Sequence, residues 1–378
     1  MKRQRANPGV VVLGSDFKAL GVVRSLARRG VPCALVDSLP RCAWFSRYVT
    51  RRVKWKDALE GEAFVQFLLA DPGMRDFAGW ALLPAQDDAV EVVSQHFEEL
   101  SARYRLLTLP WEVMRWAGDK RLTHQLAADA GVPCPRTVYP TSEHELVGVG
   151  MSFPVIVKPA ISIRFQHATR LKALRADSPE ELLVQYRRAC QVLSPDEIMV
   201  QELIPGGGRQ QVSVAVYADA GQTLLAMTAR RSRQYPVDFG LGSSYVEAVA
   251  IPEIEDLAKR VVAQAGFSGM LEVEFKRDDR DGFYKLLDIN VRPWGWHTLS
   301  QACGLDFPAI HYMHALGEPV PQLTPRYGAH WVRVLTDIPA AFTEMRRGTL
   351  RADAYARSLM GRAVWSVFAW SDPAPAFG

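Results

Sequence analysis

The segment that most constrains this chain is a pair of alternating runs near residue 280. Leu271-Glu272-Val273-Glu274-Phe275-Lys276 and Tyr284-Lys285-Leu286-Leu287-Asp288-Ile289-Asn290 are joined by Asp278-Asp279-Arg280-Asp281-Gly282. Asp-Gly between two such runs signals a β-hairpin. In a strand, residues two apart share a face, so Glu272 groups with Glu274, and Asp288 with Asn290 and Arg292. Opposed side chains in an antiparallel pair sit about 5 Å apart. Two carboxylates and an amide oxygen converging there are costly unless neutralised. Mg²⁺ does this, because it takes hard oxygen ligands and fills its shell with water and phosphate. A solvent-facing polar hairpin is the plain alternative, but Leu-Leu-Asp-Ile-Asn-Val sets Asp288 and Asn290 in a half-buried strand. Glu274, Asp288 and Asn290 are therefore the candidate metal ligands.

Two lysines are placed like phosphate ligands. Lys158 closes the apolar run Pro154-Val155-Ile156-Val157 just before Pro159, where a solvated lysine gains little. Lys120 opens a helix that runs to Ala130 and stops at Gly131-Val132-Pro133. A cation there opposes the helix dipole and needs another interaction. Arg230, Arg231 and Arg233 precede Gln234-Tyr235-Pro236 and suit a substrate carboxylate or a γ-phosphate, or form an edge-strand charge run. Arg233, together with Lys158 and Arg292, carries the catalytic assignment. Trp294, Trp296 and His297 follow the metal strand and suit an acceptor pocket or core packing.

The opening reads as a βαβ unit: strand Val10–Leu13, turn Gly14-Ser15-Asp16, helix Ala19–Arg29, then a strand ending at Asp37. A further strand at residues 80–84 leads to a helix from Asp88 to about Leu100. Asp37 and the glycine turn suggest dinucleotide binding, yet the second glycine that lets a pyrophosphate approach is missing. A doubly wound scaffold is the better reading.

At 378 residues the chain suits two or three domains. No apolar run nears the roughly 20 residues of a membrane span, and the basic start leads into too short an apolar stretch for a signal peptide. The expected location is the cytoplasm. Five scattered cysteines give no zinc spacing, and His311 with His314 lacks partners for a metal. A net charge of +4 with no basic stripe argues against nucleic acid.

In order, Asp119-Lys120, Pro154-Val-Ile-Val-Lys158-Pro, Val200-Gln-Glu-Leu-Ile204-Pro-Gly, Leu271-Glu-Val-Glu274-Phe and Leu287-Asp-Ile-Asn290-Val-Arg292-Pro resemble the ATP-grasp superfamily across about residues 115–305. Gly14 to Arg24, Ser46-Arg47-Tyr48, Arg233-Gln-Tyr-Pro236 with Phe239-Gly240, and Asp372-Pro373 are similar to the carboxylate–amine ligase group that includes D-aspartate ligase-like enzymes. The resemblance implies an α/β (α+β) chain: a Rossmann-like pre-ATP-grasp domain at 1–115, a small lobe at 116–205, a large lobe with the Mg site at 206–325, and a C-terminal extension at 326–378. It implies ATP and one or two Mg²⁺ ions, with Mn²⁺ as a substitute. Lys120 and Lys158 would contact phosphates. Gln201, Glu202, Leu203 and Ile204 would form the adenine hinge, and Gln210 would take a ribose hydroxyl in place of the usual acid. Arg292 would stabilise an acyl phosphate and the tetrahedral intermediate.

Two departures stand out. Asp288 replaces the usual glutamate. The stretch from Ala160 to Arg170 lacks the glycine-rich phosphate loop, so Ser162, Arg164, Arg170 or Lys172 must replace its backbone cradle. His167 in that stretch is a loop histidine or a base. The reaction implied is ADP-forming ligation of a small-molecule carboxylate and an amine, amino-acid-like, through an acyl phosphate. A homodimer is an admissible assembly. A kinase or carboxylase of the same fold, a nucleotide sensor, and a dehydrogenase using the first domain are the alternatives.

Overall fold

The computed structural model describes residues 8–148, 150–160, 173–238, 240 and 242–378. Strands β1 (Val10–Leu13), β2 (Cys33–Asp37), β3 (Val49–Lys54), β4 (Ala81–Pro84) and β5 (Arg105–Leu106) form a parallel sheet in the order β3-β2-β1-β4-β5. Every residue of β1, β2 and β4 is buried, as expected of parallel strands covered on both faces. Gly14 ends β1 at φ 108°, a conformation that favours glycine. Asp16 then caps the helix Phe17–Ala27, accepting from the Lys18 and Ala19 N–H groups at 2.9 and 3.2 Å. That helix starts two residues ahead of the Ala19 expected from sequence. The single helix expected from Asp88 to Leu100 is interrupted at His96, giving Asp87–Gln95 and Phe97–Ser101.

Strands β6 (Thr137–Val138), β7 (Val155–Pro159), β8 (Leu174–Ala176) and β9 (Ile198–Glu202) make an antiparallel sheet in the order β6-β9-β7-β8. Strands β10 (Gln211–Asp219), β11 (Gln222–Tyr235), β12 (Gly242–Ala248), β13 (Gly269–Arg277), β14 (Tyr284–Asn290), β15 (Ala329–Val332) and β16 (Arg362–Trp365) make the large sheet, ordered β14-β13-β10-β11-β12-β15-β16. One face of it buries Val212, Val214, Val273, Phe275 and Leu286 against Ile254, Val261 and Val262 of the helix Pro252–Ala265. The residues from 326 onward thus supply the last two strands of this sheet. Among the described residues no helix is long and apolar enough to cross a membrane.

The C-terminal segment also returns to the helix and turn that flank the parallel sheet. Asp372, 1% exposed, accepts from Arg24 Nε at 2.9 Å, Ser46 Oγ at 2.7 Å and the Arg47 N–H at 3.0 Å. Arg24 Nη2 and Nη1 donate to the carbonyls of Asp372 and Val367 at 2.8 and 2.7 Å. Three motifs quoted separately from the sequence, at Arg24, Ser46-Arg47 and Asp372, therefore meet at one point. Removing one partner of a buried ion pair strands the other charge, a loss of about 3–5 kcal/mol. Asp372→Ala should lower the stability of the whole chain by that amount in urea denaturation, and a loss under about 1 kcal/mol would show that the strap is incidental.

Candidate active site

The hairpin β13–β14 pairs Glu272 with Asn290 and Glu274 with Asp288. The register then slips so that Phe275 faces Leu286, which leaves Leu287 as an extra, bulged residue. The bulge keeps Asp288 on the acidic face while Phe275 and Leu286 stay in the core. Cations and donors surround these oxygens. Lys120 Nζ makes a short bond to Asp288 Oδ1. Arg231 Nη2 lies 3.1 Å from Glu274 Oε2, and Asn290 Nδ2 donates to Glu274 Oε1 at 3.0 Å and Glu272 Oε2 at 3.1 Å. Glu272 is 3% exposed and also receives the Trp296 indole N–H at 2.7 Å. Burial first, and Glu274 second, push its carboxyl above the usual range.

Lys120 reaches this face because Asp119 caps the helix Lys120–Asp129 through the Arg121 N–H at 2.9 Å, and because the Lys120 N–H donates to the Ala160 carbonyl at 3.1 Å. Both contacts fix the helix start beside β7. The ion pair with Asp288 supplies the interaction that offsets a lysine at a helix N-terminus. His124, one turn on, is pushed down to about 4 by burial and then by Lys158 and Lys120.

A cleft of about 650 Å³ opens between the four-stranded and seven-stranded sheets, within the range that holds an organic ligand. Lys120, Lys158, Glu274 and Asp288 line one part and Gln201 to Ile204 another. Glu202 ties its end to the hairpin: its carboxylate meets Arg280 Nη2 at 3.1 Å and Lys285 Nζ at 3.3 Å. Its N–H donates to the Arg136 carbonyl at 2.9 Å. From the other side, Lys276 Nζ donates to the carbonyls of Ile204 and Gly206, both at 2.8 Å. Burial lowers this lysine to about 8. Gln201 is buried, with Nε2 on Thr137 Oγ1 at 2.9 Å. Lys276 was not singled out from sequence, although its spacing from Glu272 and Glu274 put it on the same strand face.

The structure places several of the expected residues away from the cleft. Arg233 does not face the cleft: it is 4% exposed and grips Asp337 through Nε and Nη2, both at 2.8 Å, with its guanidinium 3.9 Å from the Tyr245 ring centre. The bulges around Arg231 and Arg233, invisible as periodicity, break the alternation that would have kept the two arginines on one face. Arg231 is the one beside Glu274. Gln210 lines a separate cavity, with Nε2 3.3 Å from Asp279 Oδ2, and Gln211 borders the cleft instead. Arg292 is held at the domain junction by Asp87, through Nε at 2.5 Å and Nη2 at 2.9 Å. Trp294 and His297 are buried, and Trp294 packs edge-on against Trp296 and Phe307 as core. Lys172, with Ser162, Arg164, His167 and Arg170, lies outside the described residues.

The donor set suits a hard dication. Among the described residues, no three His, Cys, Asp or Glu side chains form a metal-holding group. Two carboxylates with one amide are the sparse oxygen set that Mg²⁺ accepts when phosphates and water complete its shell. Turning the Asn290 amide over would present its oxygen to such an ion.

Residues 194–338 match the family model described as ATP-grasp in the biosynthetic pathway with Ter operon. The chain is 26% identical over 226 residues to the D-aspartate ligase of Enterococcus faecium (strain Aus0004), covering 56% of this chain and 53% of that protein. The chain thus spans about half the length of the curated relative it matches. Among solved structures it is similar to the L-amino acid ligase from Bacillus licheniformis, with a TM-score of 0.62, 17% identity and coverage of 82% and 74%. It is also similar to the biotin carboxylase domain of Hydrogenobacter thermophilus 2-oxoglutarate carboxylase, solved with MgADP and bicarbonate, with a TM-score of 0.67, 16% identity and coverage of 85% and 73%. At these identities the structural likeness establishes the fold.

The corrected place of Arg233 has a measurable consequence. Arg233→Ala strands the buried Asp337 carboxylate and should cost about 3–5 kcal/mol of stability. Chemical denaturation checks it: a variant with unchanged stability but lost nucleotide binding would return Arg233 to the cleft.

Proposed function

We propose that this chain, which is similar to ATP-grasp proteins and to a D-aspartate ligase, joins a small carboxylate to an amine in an ADP-forming reaction. The observation that carries this reading is the gathering of Lys120 and Lys158 with Glu274 and Asp288 in the lining of one cleft, with the buried Arg231 3.1 Å from Glu274. Such a set neutralises a triphosphate on one side and holds a dication on the other.

Glu274, Asp288 and Asn290 would hold Mg²⁺, which would screen the charge that spreads over the phosphoryl oxygens. Lys120 and Lys158 bind the phosphates as point charges, and Gln201 to Ile204 border the adenine end. The hinge is stiffened against the hairpin by Glu202 and Lys276. A substrate carboxylate attacks the γ-phosphorus of ATP, giving an acyl phosphate and ADP, and the amine then displaces phosphate. Positioning and fixed charge do most of the work, so no nucleophilic side chain is required.

At the domain junction, Arg292 is fixed on Asp87 beside Lys18, itself 3.4 Å from Asp16. This group of alternating charges supports an amino-acid-like substrate, whose acyl end Arg292 would meet on exchanging Asp87 for it. Arg231 rather than Arg233 is the arginine to contact the γ-phosphate. Lys172 remains a candidate phosphate ligand.

The test is ADP release by the purified protein against pooled amino acids and amines. Release that needs both an acid and an amine is expected, and Lys158→Ala should weaken ATP binding about tenfold, equal to about 1.4 kcal/mol. ADP release that needs bicarbonate or a hydroxyl acceptor instead would overturn the ligase reading in favour of a carboxylase or kinase. Silence in every pool with ATP still bound would favour a sensor.

A further inference from the structure

A second cavity, of about 500 Å³, lies behind the large sheet. Val212 and Arg230 are register partners in β10 and β11 and line it, whereas their neighbours Gln211 and Arg231 touch each other at 3.2 Å on the side of the metal hairpin. Alternation along the strands therefore puts the two cavities on opposite faces of the same sheet.

This cavity has a fixed wall. The helix Ala352–Ser358 closes one side, and Ser358 is bolted to the sheet: its Oγ accepts from Arg233 Nη1 at 3.0 Å and its carbonyl from Tyr245 Oη at 2.8 Å. Arg209, Arg230 and Arg277 line the cavity and are exposed. The two carboxylates in its lining are already engaged. Glu247 is turned onto Ser232 Oγ in a short bond, and Asp279 accepts from Gln210 and lies 3.8 Å from Arg277. Among the described residues, Arg209 and Arg230 form no ion pair. Arg230 stands opposite Glu247 in the strand register, but with that carboxylate on Ser232 the two guanidiniums at the rim of a preformed cavity are a binding device for oxyanions, since their planar forks fit carboxylate and phosphate edges.

We propose that this cavity is a second ligand site that takes a small organic oxyanion of two or more charges. The anionic head rests on Arg209 and Arg230, and the body lies against Val212, Tyr284 and Leu350. The proposal does not depend on the ligase reading, because none of these residues lines the cleft that holds Lys120, Lys158, Glu274 and Asp288.

The experiment is titration calorimetry of the full chain at low ionic strength with two probes, pyrophosphate for a phosphate-type head and citrate for a carboxylate-type head. At least one probe should bind wild-type protein. That binding should weaken tenfold or more in the double variant Arg209→Ala/Arg230→Ala and persist in Lys158→Ala, and it should fade as salt screens these exposed charges. The stronger probe identifies the head group. Both arginines are exposed, so an unchanged urea transition is the control for folding. Any other pattern overturns the proposal: no binding of either probe, binding indifferent to the double substitution, or binding lost with Lys158.

Discussion

Glu274 and Asp288 face each other across one hairpin, with Glu272 the next acid along. Two like charges about 5 Å apart repel by about 3 kcal/mol at an effective dielectric of about 20. The surrounding structure answers that cost group by group. Lys120 arrives from a capped helix on Asp288, Arg231 from the neighbouring strands on Glu274, and the Asn290 amide from the hairpin itself. Glu272 is spared by a raised pKa and an indole donor. A dication brought in with phosphates would relieve the same repulsion more completely, which is why the cluster reads as a site rather than as a scaffold.

The same hairpin sets the geometry of the cleft. Its turn is held by Asp278, fully buried and bonded to Arg280 at 2.6 Å and Lys285 at 2.7 Å, contacts that keep its carboxyl well below the ordinary range. Arg280 and Lys285 in turn reach Glu202 at the end of β9. The end of β9 is therefore tied by one charged network to the turn of the hairpin that carries Glu274 and Asp288, which fixes the cleft at that end.

Much of this was legible in the sequence because it rests on short-range rules. The hairpin, its Asp-Gly turn and its acidic face follow from alternation alone, and β1, β2, β7 and β9 from apolar runs bounded by Gly or Pro. What was missed needed tertiary information. The short strands β5, β6 and β8 carry too few residues for a period, and β15 and β16 are recruited by the edge of a sheet begun a hundred residues earlier. Arg233 was misplaced because the bulges that separate it from Arg231 leave no mark in the pattern. Gln210 closes the turn just before β10, and Gln211, the first residue of the strand, is the one that borders the cleft. Arg292 was read as a stabiliser of the acyl phosphate, and its pairing with Asp87, 205 residues away, leaves no mark in the local sequence.

The account stands on the claim that Glu274, Asp288 and Asn290 take a metal together with the nucleotide. The most direct measurement is the dependence of ATP affinity on Mg²⁺, by calorimetry, in wild-type protein and in Asp288→Asn. Mg²⁺ should tighten ATP binding in the wild type, and most of that tightening should vanish in the variant while metal-free binding is kept. ATP affinity that ignores Mg²⁺, or a Mg²⁺ effect that survives Asp288→Asn in full, would contradict it.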